Sequence, residues 1–93
     1  MTDEQLARAI QSVGMAALVT HLPLFLSAMS NNGAAAALNS RTGWAPKGCR
    51  TRVWCARTNI KAGRLNDALD LNAEATRVQK TLRDAARQLR AAS

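Results

Sequence analysis

Apolar residues recur every three to four positions along almost the whole of this 93-residue chain, a spacing that predicts helices and no strand. Leu6, Ala9, Ile10 and Val13 form the first stripe, behind Thr2 or Asp3 as the N-cap. Gly14 then loosens the chain. The next run, Met15 to about Met29, is apolar nearly all round through Ala16, Leu18, Val19, Leu22, Leu24, Phe25 and Leu26. That suits a central helix buried by its neighbours. Pro23 would kink this helix or divide it, and the pattern leaves open whether the first two segments are one bent helix or two.

Ser30, Asn31 and Asn32 are good N-cap residues, and the run Ala34 to Ala37 followed by Leu38 is strongly helix-forming. Gly43 is suited to the left-handed conformation of a helix exit. A further helix should start at Ala45 or Pro46, where proline fits the first turn, and continue to about Ala62 before Gly63. Its buried face would be Cys49, Val53, Ala56 and Ile60, which throws Lys47, Arg50, Thr51, Trp54, Arg57, Thr58 and Lys61 outward or onto the flanks. Rotating the helix by about one position would instead bury Trp54, an outcome the size of the ring favours, and move Arg50 and Arg57 to the centre of the exposed face.

Beyond Gly63, Leu65, Ala68, Leu69 and Leu71 mark a short amphipathic piece, and Asn72 can cap a last helix. Ala75, Val78, Leu82, Ala85 and Leu89 recur at three, four, three and four, the seam of that helix over about 73–91. Such a seam packs either on the chain's own core or on the same helix of a second copy. The expected fold is therefore all-α, one domain over 1–93.

Charge changes the picture next. The chain carries a net charge of +7, and between Arg41 and Arg64 it has seven basic residues and no acid. Ordinary solvated helices mix signs to gain pairs four residues apart, so this stretch predicts a surface for a polyanion such as nucleic acid. With one Phe, two Trp and no Tyr, the chain lacks the aromatic ladder of single-strand binders, which favours duplex.

Little else in the sequence carries chemistry. His21 is the lone histidine, without a neighbouring base, carboxylate or nucleophile, and a packing role is expected of it. Cys49 and Cys55 lie on one predicted helix about 240° apart, so they should neither bridge nor share a metal ion. No phosphate-cradling glycine loop, paired carboxylates or dinucleotide fingerprint is present, so neither an enzyme nor a cofactor is expected. The apolar run from Val13 to Leu26 is short of a membrane span and lacks a basic start, which predicts a cytoplasmic protein.

The alanine helix 33–41, the turn Thr42-Gly43-Trp44 and the helix from Pro46 to Ile60 together resemble the helix-turn-helix of small bacterial, phage and plasmid regulators. The resemblance covers about residues 31–62. It implies sequence-specific binding to double-stranded DNA, as by a homodimeric repressor of a mobile element, with helix 46–61 in the major groove. Arg50, Thr51, Trp54 and Arg57 are then the candidates for base edges, and Arg41, Lys47, Lys61 and Arg64 for phosphates. Two other expectations fit the same charge: a small helical adaptor or inhibitor whose basic face meets an acidic protein, and a sequence-neutral accessory protein on RNA or DNA.

Overall fold

The computed structural model describes residues 2–74 and 79–92, and among these it is all-α, with seven helices and no strand. α1 spans Asp3–Val13, and Thr2 caps it in a reciprocal box: Thr2 Oγ1 accepts from the Gln5 amide while Gln5 Oε1 accepts from the Thr2 amide. Leu6, Ile10 and Val13 are buried as their spacing predicts. Gly14, at φ 92°, breaks the chain there, so the first two segments are separate helices.

The expected central helix is divided in two and ends early. α2 covers Met15–Thr20 and α3 covers Leu22–Leu26, with His21 between them. Pro23 is the cause, because its ring would clash with the carbonyl of Val19 and it has no N–H to donate back, so the chain restarts with Pro23 in the first turn of α3. Leu18, Leu22, Leu24 and Phe25 are buried all the same, whereas Leu26 and Met29 are exposed.

α4 runs Asn31–Thr42, and α5 runs Pro46–Lys61. Ser30 Oγ accepts from the Gly33 amide at 3.0 Å to start α4, and Gly43 at φ 74° ends it. Cys49, Val53 and Ala56 of α5 pack inward as expected; Asn59 takes the fourth buried place, and Ile60 is only half-buried. α5 therefore packs with a small turn of phase toward Asn59, the opposite sense to one that would bury Trp54, and Trp54 is 61% exposed.

α6 covers Leu65–Glu74 and buries Ala68, Leu69, Asn72 and Ala73. Asn72 is not the cap of a later helix: it sits fully buried within α6, where its Nδ2 donates to the Ala68 carbonyl. α7 spans Lys80–Ala92 and lies on α6 and α2. Of the expected seam, Ala75 and Val78 fall outside the described residues. Leu82 and Ala85 pack against the chain's own core, but Ala86 is the buried centre of the contact and Leu89 is left exposed. The helix is held in that phase by its arginines, since Arg87 donates to the Ala73 carbonyl and Arg90 pairs with Asp70 on α6.

Candidate nucleic-acid interface

The buried face of α5 is set by small partners. Ala34, Ala35 and Leu38 of α4 are buried against it, so α4 and α5 pack as a hairpin joined by the three residues 43–45. The helices run antiparallel, with Asn31 beside Arg57 and Ala36 and Asn39 beside Pro46. The turn is fastened by side chains: Asn39 Nδ2 donates to the Trp44 carbonyl, and Thr42 Oγ1 accepts from the Trp44 amide.

Lys47, Arg50, Thr51 and Trp54 are exposed at spacings of three, one and three, forming one stripe on α5, and Lys61 is exposed at its end. Thr51 Oγ1 donates back to the Lys47 carbonyl, leaving its oxygen lone pairs outward. Arg41 is exposed in the last turn of α4. The chain from Gln5 to Asn66 contains no Asp or Glu, so α2 to α5 present no carboxylate at all. The acids sit on α1, α6 and α7, where Glu4 pairs with Arg8, Asp84 with Arg87 and Asp70 with Arg90.

Three of the seven basic residues in the 41–64 stretch work inside the fold. Arg57 makes five hydrogen bonds, matching the five N–H donors of a guanidinium. Its Nε donates to Phe25 O, Nη1 to Met29 O and Asn31 Oδ1, and Nη2 to Ser27 O and Ser27 Oγ, at 2.7–3.4 Å. It fastens the link between α3 and α4 and does not project as a base reader. Arg64 bridges Asp3 at 2.6 Å and Asp67 at 2.5 Å, joining the start of α1 to the first turn of α6. The hydrogen bond to Asp3, then that to Asp67, hold its pKa above the ordinary arginine value, and it does not stand as a free phosphate contact. Arg52 lies over the Trp44 ring and donates to the Val13 carbonyl. Of the expected contacts, Arg50, Thr51 and Trp54, with Arg41, Lys47 and Lys61, remain on the surface.

Asn31 and Asn32 are legible in the sequence only as helix caps, yet they line a hollow of about 370 Å³ with Arg50, Thr51 and Trp54. A second hollow shares Asn32 and Arg50 and continues past Ala35, Ala36 and Asn39 to Pro46, so a groove of mixed polar and apolar lining runs between α4 and α5. The signal for it lies in the hairpin, which sets the exposed faces of both helices side by side.

Compared with protein families, curated proteins and solved structures, the chain matches none. Among the described residues no group of three His, Cys, Asp or Glu gathers as a metal site, and no helix is long and apolar enough to cross a membrane. Cys49 is a buried free thiol and Cys55 a half-buried one, whose pKa is raised by burial against an opposing hydrogen bond from Ser12. His21 packs edge-on to Trp44, and burial first, then the charge of Arg41, lowers its pKa.

Proposed function

We propose that this chain binds double-stranded DNA through the exposed stripe of α5, as a small regulator does. The observation that carries the reading is the acid-free surface of α4 and α5, on which Lys47, Arg50, Thr51 and Trp54 line up along one helix. Lys47, Arg41 and Lys61 hold phosphates, contributing affinity that is blind to sequence. Arg50 and Thr51, near the N-terminal end of α5, reach base edges, where an arginine pairs in a bidentate manner with guanine. Arg57 and Arg64 take no part in this reading, because their donors are engaged within the fold. Among the described seam residues, Leu82 and Ala85 pack on the chain's own core and Leu89 stays exposed, and pairing of two copies on adjacent half-sites belongs to the same proposal.

A protein partner with an acidic face is the competing reading, favoured by one observation: an exposed Trp beside an Arg is the composition of a protein-binding hot spot. Selection from a random duplex pool at physiological salt, followed by sequencing of the bound fraction, separates the two. Enrichment of a short motif is the expected result. Binding without enrichment would reduce the chain to a sequence-neutral accessory, and absence of binding would leave the acidic-protein reading standing.

A further inference from the structure

We infer that the hollow between α4 and α5 is a subsite for one unpaired nucleobase, which stacks on Trp54 beside Arg50 while the adjoining phosphate lies on Lys47. The inference rests on the nucleic-acid reading above and assigns Trp54 a role within it. Trp54 is 61% exposed, so most of its ring contributes nothing to the core. The other walls of its hollow are polar: Asn31, Asn32, Arg50 and Thr51. An apolar peptide would have to strip water from those amides and that guanidinium without replacing their hydrogen bonds, which is costly. A nucleobase meets both demands, with a π-face for the ring and an edge of donors and acceptors for the amides.

One of the two amides, that of Asn31, is set in advance. Arg57 Nη1 donates to Asn31 Oδ1 at 2.8 Å, and the same guanidinium is held by the carbonyls of Phe25, Ser27 and Met29. Asn31 therefore keeps its oxygen toward Arg57 and its Nδ2 as the end that offers hydrogen bonds. Arg57 acts here as a positioning residue, connecting the α3–α4 link to the hollow. A paired base is hidden in its own stack and cannot reach a ring lying on a helix flank, whereas a bulged or end-frayed base can. One exposed ring takes one base, which agrees with a chain too poor in aromatics to follow a single strand.

The test compares binding of one hairpin DNA, fully paired, with the same hairpin carrying a single bulged thymine, by fluorescence anisotropy with the full chain. Stacking of one base on an aromatic side chain should give the bulged hairpin roughly a fivefold or greater advantage. Trp54→Phe should keep that advantage and Trp54→Ala should abolish it, the readout being the ratio of bulged to paired binding within each variant, so that any change in duplex affinity cancels. Trp54 is on the surface, and circular dichroism of both variants checks that they fold. Equal binding of the two hairpins by the unaltered protein would overturn the subsite and leave the duplex reading intact. An advantage that survives in Trp54→Ala would also overturn it. If neither hairpin binds, both readings fall together.

Discussion

The guanidinium of Arg52 lies 4.2 Å from the centroid of the Trp44 ring, and its Nη1 donates to the Val13 carbonyl at 2.5 Å. One side chain of α5 thus ties the α4–α5 turn to the last turn of α1. A Cβ on Gly14 would meet that same Nη1 at 3.0 Å, so the glycine break after α1 also makes room for the clamp. Replacing Arg52 with Met removes a charge-assisted hydrogen bond and a cation–π contact, together worth about 2–3 kcal/mol in a half-buried setting. Urea unfolding followed by tryptophan fluorescence should show the midpoint falling accordingly. A loss below about 0.5 kcal/mol would mean the clamp is ornamental.

Arg57 and Arg50 lie two turns apart on α5 and should behave oppositely. Arg57→Met strands the carbonyls of Phe25, Ser27 and Met29 and should cost about 2–3 kcal/mol, with faster amide exchange over residues 26–31. Arg50→Met should leave stability within about 0.5 kcal/mol, since its side chain is exposed. Equal losses in both variants would contradict the division between structural and surface arginines.

On DNA the contrast is between Arg50 and Lys61. Arg50→Ala should cost about 1–3 kcal/mol of binding and relax sequence preference, whereas Lys61→Ala should weaken all sequences alike and lower the salt slope by about one unit. With Arg41, Lys47 and Lys61 as the phosphate-contacting cations, the slope of log K against log salt should lie near about −2.7, from roughly −0.9 per phosphate. Uniform loss for both substitutions would remove the base-reading claim.

His21 makes stability depend on pH. Burial and the Arg41 charge lower its folded pKa below the ordinary 6.5, so the unfolded chain binds the proton more readily. The stabilisation is therefore complete above about pH 6.5 and is lost as pH falls through the folded value. His21→Gln should flatten this part of the stability profile. Arg41→Gln should move the His21 titration, followed by NMR, back toward higher pH; an unmoved titration would mean Arg41 exerts no field there.

Asn59 is 1% exposed, and neither its Nδ2 nor its Oδ1 has a hydrogen-bond partner among the described residues. Ala has no amide to desolvate and adds no bulk, so Asn59→Ala should leave stability within about 1 kcal/mol of the parent in the same urea experiment, the relief of desolvation offsetting the small void. A larger loss would show that the amide is satisfied in solution.

α4 and α5 are legible in the sequence because their signals are local. Ser30, Gly43, Pro46 and Gly63 act on the backbone within a residue or two, and the structure starts and stops α4 and α5 beside them. Pro23 admits a kink or a division, and division results from a clash with a carbonyl four residues back. Asn72 misleads because an asparagine caps only when it stands at a helix start; inside α6 its amide turns to the carbonyl of Ala68 instead.

By itself the sequence determined the helical class, the boundaries set by glycine, proline and capping residues, and an acid-free basic stretch, since each depends on neighbours along the chain. Only the tertiary structure decided which cations remain on the surface. Arg52, Arg57 and Arg64 find Val13, Phe25, Ser27, Met29 and Asp3 at separations of 28 to 61 residues, and no helical period encodes such a partner. The same is true of Trp54, exposed because α5 packs through Cys49, Val53, Ala56 and Asn59 in place of the phase that would bury the ring, and of Leu89, exposed while Ala86 is the buried residue of α7. Packing chooses among phases that the pattern allows, because a rotation of one residue costs little in helix propensity and much in buried contact.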